Sequence, residues 1–167
     1  MVELNHNENI ILLDVDGCLN PDKPDLSTDW SFETAVFETR LGQFTLVLSK
    51  QMAEALAGLN ANIVWLTSWY ESANSMIGNF LGWPEKPVLH RRRMSDEYWK
   101  LSNVCNILSQ PGKAVIWIDD EIGWQTHYTS KQEIDRHNRL TMIQVDPKVG
   151  ITKAQIEEIT NALKQFD

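Results

Sequence analysis

Four short apolar runs, each closed by a polar group, set the rhythm of the chain. They are Ile10-Ile11-Leu12-Leu13 into Asp14, Ile63-Val64-Trp65-Leu66 into Thr67-Ser68, Val115-Ile116-Trp117-Ile118 into Asp119-Asp120, and Met142-Ile143-Gln144-Val145 into Asp146-Pro147. Continuous apolar runs of this length, bounded by turn residues, predict strands buried on both faces of a parallel sheet. Val88-Leu89 reads as a weaker fifth strand. Helical stripes fill the gaps: Leu48, Met52, Ala55, Leu56 and Leu59, then Ala73, Met76, Ile77, Phe80 and Leu81, stopped by Gly82 and Pro84. A third stripe, Leu101, Val104, Cys105 and Leu108, is predicted to start at Ser95 with Asp96 and Glu97 in its first turn. The last helix opens on a capping box, Thr152 with Gln155, and a hydrophobic staple, Ile151 with Ile156; Ile156, Ile159 and Leu163 form its buried face. Strands alternating with helices predict an α/β domain with a mostly parallel sheet.

One segment departs from this alternation. Thr34 to Thr39 and Phe44 to Leu48 read as two strands around Leu41-Gly42-Gln43, a hairpin flap within residues 21–48. The flap is too short to form a second domain, and residues 1–167 are read as one domain.

Composition narrows the function classes. With 15 basic and 23 acidic side chains the net charge is −8, which argues against indiscriminate binding to nucleic acid or anionic membranes. Hydrophobic residues make up 43% and charged residues 23%, the balance of a chain that folds. Two cysteines, Cys18 and Cys105, build neither a disulfide framework nor a structural zinc site. No apolar stretch has the length of a membrane span, and the polar N-terminal residues lack a secretory h-region. The expectation is a reduced, cytoplasmic protein with no membrane partner.

The polar groups that end the strands carry the chemistry. Ligands gather at the carboxyl ends of parallel strands, and Asp14-Val15-Asp16-Gly17 stands at one of them. Two carboxylates one residue apart repel each other unless a cation bridges them or one keeps its proton. An oxygen-rich set completed by Asp119-Asp120 suits magnesium. Thr67 supplies a hydroxyl and Lys100 an ammonium group, and together these are the parts that phosphoryl transfer requires. Asp-x-Asp-Gly also serves as a simple turn, and Asp119-Asp120 as a helix cap.

In this order the motifs resemble the haloacid dehalogenase-like (HAD) hydrolase superfamily: Asp14-Val15-Asp16-Gly17, Thr67 after Val64-Trp65-Leu66, Lys100, and Asp119-Asp120 after Ile116-Trp117-Ile118. Leu19-Asn20-Pro21 and Trp65-Leu66-Thr67-Ser68-Trp69 are similar to a small-capped branch associated with RNA-repair-type proteins. The resemblance implies a Rossmann-like three-layer α/β/α sandwich with a short hairpin flap in place of a full cap. It implies an aspartyl-phosphate formed on Asp14, acid–base work by Asp16, and phosphate binding by Thr67 and Lys100. It also implies magnesium held by Asp14, the Asp16 carbonyl, and Asp119 or Asp120. Lys86 and Lys113 are alternatives to Lys100. Receiver domains share the same groups, but their lysine follows the last acidic motif, whereas Lys100 precedes Asp119.

The implied activity is a magnesium-dependent phosphomonoesterase acting on a nucleotide or nucleic-acid terminal phosphate. The alternative is a non-catalytic HAD-fold binding or regulatory module, whose mark would be loss of Asp14 or Asp16. His90-Arg91-Arg92-Arg93 is the one dense basic run, either a solvated loop or a phosphate clamp through Arg91, Arg92 and Arg93. His127 and His137 read as surface residues, and Cys18 as filler. Seven tryptophans complete the picture: Trp65 and Trp117 as core, Trp83 and Trp99 as anchors of helix ends. Trp69, Trp124 and Trp30 are expected to wall a substrate cleft where a base stacks.

Overall fold

The apolar runs form the sheet that their pattern predicts. The computed structural model describes residues 4–39, 42–127 and 138–166. In it β1 (Ile10–Leu13), β4 (Asn62–Trp65), β5 (Val115–Asp119) and β6 (Leu140–Gln144) make one parallel sheet in the order β4-β1-β5-β6. The antiparallel hairpin is β2 (Glu33–Thr39) paired with β3 (Gly42–Leu48), in register from Glu33 opposite Leu48 to Thr39 opposite Gly42. The weak fifth run is reduced to one bridge, Trp65 to Val88, on the outer side of β4. Leu41 and His137 lie outside the described residues.

Alternate side chains of the strands serve two cores. Ile11, Leu13, Trp65, Ile116 and Ile118 face one layer, where they meet α1 (Lys50–Ala57) and α5 (Lys153–Leu163). A π-helical stretch, Ala73–Gly78, running into one α-turn, α2 (Asn79–Leu81), belongs to the same layer. Ile10, Leu12, Val64, Val115 and Trp117 face the other layer, covered by α3 (Trp99–Leu108) and by Ile122 of α4 (Ile122–Gln125). Burial on both faces explains why the strands read as unbroken apolar runs. α1 and α3 lie on opposite sides of the sheet, so the chain leaves β1 in one direction and returns beside it as β5 in the other. That reversal opens a crevice at the carboxyl ends of β1 and β5.

Local signals account for three helix ends. Ser49 caps α1 by accepting from Met52 N, and the Thr152–Gln155 capping box is formed. Gly82 ends α2 in the left-handed region, at φ 73°. Two expectations are corrected. Helix α3 begins at Trp99 rather than Ser95: Tyr98 gives no side-chain cap, and residues before it form turns, with Asp96 N donating to Arg93 O. Burial of Trp99 and Lys100 sets the start in place of the cap signal. Cys105 and Ala55 also leave their predicted stripes, since Ile107 and Ala53 take the buried positions.

Trp65 and Trp117 are fully buried, and each indole N–H has a partner. Trp65 donates to Asn74 Oδ1 at 2.9 Å and Trp117 to Asp119 Oδ2 at 3.3 Å. Trp30 departs from expectation. Its indole donates to Ile151 O at 2.7 Å and its ring lies under Lys153, so it fastens the approach to the hairpin onto the base of α5 rather than walling a cleft.

Candidate active site

The turn after β1 is built around one carbonyl. Backbone N–H groups of Cys18, Leu19 and Asn20 all converge on Val15 O, at 3.1, 2.8 and 3.0 Å. Asp14 N still donates to Ile118 O, so β1 follows β5 for one residue beyond the sheet. Gly17 sits at φ +71°, and a Cβ there would lie 2.6 Å from Asp120 Cγ. Only glycine meets both demands. Gly17→Ala is therefore expected to cost at least about 1–2 kcal/mol from the left-handed backbone alone, with displacement of Asp120 adding to it. A urea titration that finds the variant as stable as wild type would refute this.

Lys100 is the hub of the site. Its Nζ lies 2.6 Å from Asp14 Oδ2, 2.8 Å from Asp119 Oδ2 and 3.9 Å from Glu121 Oε2. Asp14 Oδ1 accepts from Val15 N at 2.8 Å, and Asp119 Oδ1 from Glu121 N at 2.8 Å. With Trp117 Nε1 also on Oδ2, both oxygens of Asp119 are engaged. Asp120, half-buried above Gly17, completes a set of three carboxylates that each offer one oxygen within 4.8 Å of the others. Lys86 and Lys113 stand elsewhere: Lys86 over the Trp83 ring, and Lys113 at the opposite end of the sheet beside His6.

Burial governs the ionisation of these groups. It pushes the Asp14 carboxyl up to about 6; the Lys100 charge opposes the rise and Asp119 adds to it. Asp120 is also raised to about 6, by burial and then by Asp14 and Glu121. Burial raises Asp119 as well, against the pull of Lys100. Burial alone would lower Lys100, but Asp14 and Asp119 outweigh it and hold the ammonium above the ordinary lysine value. Cys18, wholly buried, has its thiol pushed up by burial and by Asp14, which suits filler and not a nucleophile. Three carboxylates against one ammonium form a cluster of hard oxygen donors. That donor set fits magnesium.

Asp16 points elsewhere. Its carboxylate is exposed and accepts from Trp69 Nε1 at 2.8 Å and Asn20 Nδ2 at 3.1 Å. It borders a cleft of about 470 Å³ walled by Thr39, Phe44, Ser68, Trp69, Ser72 and Met76. Thr67 is fully buried at the end of β4, where its Oγ1 accepts from Trp69 N at 3.4 Å. Asn20 belongs to the Leu19-Asn20-Pro21 motif of the resemblance, which assigns it no role; its contact with Asp16 is what the structure adds.

The basic run is spread over different surroundings. Arg91 lies over the Trp99 ring, 5.9 Å away, and donates to Met94 O at 3.4 Å. Arg92 lines a separate cavity of about 810 Å³ with His6, Leu89, Asn103 and Gln110. Arg93 is exposed. Among the described residues no ion pair joins these arginines to the four aspartates. On the other flank Trp124, half exposed, stacks on Tyr98 at 5.1 Å, close to Lys100 in sequence. Among the described residues no helix is long and apolar enough to cross a membrane.

A family model described as the HAD domain in Swiss Army Knife RNA repair proteins matches residues 10–156. The match runs from the first residue of β1 into α5. No curated protein and no solved structure matches the chain.

Proposed function

Since the chain belongs to the family of HAD domains in Swiss Army Knife RNA repair proteins, a branch of a phosphatase-type hydrolase superfamily, we propose that it is a magnesium-dependent phosphomonoesterase. Its substrate is a nucleotide or a nucleic-acid terminal phosphate, and one domain with the hairpin as its flap does the work. The observation that carries this reading is the Asp14–Lys100–Asp119 triad beside Asp120.

Asp14, Asp120 and the Asp16 carbonyl would hold the metal. Asp119, with three donors on its two oxygens, holds Lys100 in place. Bound there, the ion would supply charge neutralisation at the phosphoryl oxygens. Asp14 is the nucleophile: a carboxylate oxygen forms a bond to phosphorus as the ester P–O bond breaks. Asp16, facing the cleft, gives its proton to the departing oxygen and then takes one from the water that releases phosphate from Asp14. Thr67 and Lys100 bind phosphoryl oxygens, and the Lys100 charge lowers the repulsion between an anionic substrate and an acidic nucleophile. The open cleft beside the hairpin, with aromatic and hydroxyl walls, favours a leaving group that carries a planar base.

The test is a panel of phosphomonoesters, including nucleoside monophosphates and oligonucleotides phosphorylated at either end, assayed in magnesium and in EDTA. Hydrolysis is expected in magnesium only, with nucleotide or oligonucleotide ends preferred over sugar phosphates. Equal rates in EDTA would remove the metal from the reaction, and a preference for sugar phosphates would remove the nucleic-acid assignment.

A further inference from the structure

We infer that Trp69 and Asn20 are positioning residues that clamp the Asp16 carboxylate toward the leaving group and tie it to the hairpin. The inference rests on the proposed phosphatase reading and adds two residues to it. An exposed aspartate on a turn samples several rotamers, whereas a general acid must present its proton within hydrogen-bond reach of one atom. Here each carboxylate oxygen has its own donor. Trp69 Nε1 holds Oδ2 at 2.8 Å from 53 residues away, and Asn20 Nδ2 holds Oδ1 at 3.1 Å from within the turn. Each oxygen keeps a further lone pair, so one can carry the transferred proton while both ties persist.

The clamp is itself anchored. Asn20 Oδ1 accepts from Val47 N at 2.9 Å, which joins the amide to β3. Phe44, also on β3, meets the Trp69 ring edge-on at 6.0 Å and 73°. Tyr70, the one non-glycine residue with positive φ among the described residues (47°), turns the chain immediately after Trp69. Its ring stacks on His90 at 5.3 Å, on the α3 side of the site, while Trp69 faces the hairpin. Trp69 thus has a second task besides walling the cleft.

A matched pair of substrates separates the two tasks. 4-Nitrophenyl phosphate releases a phenolate that needs no proton, whereas 4-nitrobenzyl phosphate, nearly the same size, releases an alkoxide that does. The ratio kcat/KM reports transfer of the phosphoryl group to Asp14, before any water attacks. Trp69→Phe keeps a ring against Phe44 and loses the N–H. It is expected to lower kcat/KM for the benzyl ester by about tenfold, a part of the 10²–10⁴-fold that a general acid contributes. The phenyl ester should change by less than about threefold on the same grounds. Asn20→Ser, which removes the other donor, should show the same selectivity and serves if Trp69→Phe folds poorly. Equal losses on both esters, or none on either, would overturn the clamp and leave Trp69 as a wall. A wild-type protein that cleaves neither ester in magnesium overturns the phosphatase reading, and this inference with it.

Discussion

Asp14→Asn is expected to abolish phosphomonoester hydrolysis, lowering turnover by roughly 10⁴-fold or more while leaving the protein folded. An amide cannot form the acyl-phosphate bond, and neither Asp119 nor Asp16 can replace the carboxylate. Asp119 is locked by three donors, and Asp16 is turned toward the cleft by its own two. The fold should survive because the substitution is nearly isosteric and Lys100 keeps its 2.8 Å contact with Asp119. Burial already drives the Asp14 carboxyl up to about 6, so a neutral side chain at this place relieves a desolvation cost in the metal-free protein. Circular dichroism and thermal melting should match or exceed wild type while the steady-state assay reads background. A variant that keeps a few per cent of wild-type turnover would remove Asp14 as nucleophile.

Lys100→Met should be felt first as instability. Lys100 neutralises two buried carboxylates at the ends of two different strands, and removing the cation leaves them uncompensated, at a cost of about 3–5 kcal/mol. The loss should depend on pH in a defined direction. Asp14 has a folded-state pKa near 6, above the ordinary 3.8, and burial raises Asp119 too. Carboxyls of this kind favour the folded state when protonated, so their stabilising effect is complete below the ordinary value and fades as pH rises through the folded one. Without the ammonium group both move further up. The variant should therefore regain stability on acidification from pH 7.5 to pH 5, by more than wild type does. Urea titrations at the two pH values measure it. A deficit of the same size at both would mean lost packing by the lysine stem, not stranded charge.

The two buried charges explain where sequence pattern was informative and where it was not. Ile10–Leu13 and residues 115–118 are legible as central strands because burial on both faces favours apolar residues, and a polar residue then marks the end of each apolar run at the carboxyl edge of the sheet. The hairpin and the capping box of α5 are legible because turns and caps depend on neighbours a few residues away. The start of α3 is not of this kind. Ser95-Asp96-Glu97 is a good local signal, yet docking of Trp99 and Lys100 against the sheet outweighs it. Pairing of Lys100 with both Asp14 and Asp119 is likewise set by how β1, β5 and α3 meet. Trp30 and Asn20 show the same limit, since the partners that define them, Ile151 and Val47, are distant in the chain. The arginine run reads as a unit in sequence, but the bends through residues 91–95 send Arg91 and Arg92 to different places.

The hairpin leaves and re-enters the body of the protein at a single point, with Glu33 opposite Leu48. Its inner half is held by Ala35, Leu46 and Leu48, and Phe44 extends that face to Trp69, while Val36 faces outward. A ribbon attached this way can lengthen, shorten or change its outer side chains without altering any register in the parallel sheet, and the entropic cost of extra length grows only slowly. On the proposed reading, the surface that meets the leaving group and the groups that carry the chemistry can therefore change separately. The hairpin could change its outer side chains while β1, β5 and α3 stay as they are, provided that residue 20 keeps its hold on residue 47 and residue 44 its contact with Trp69.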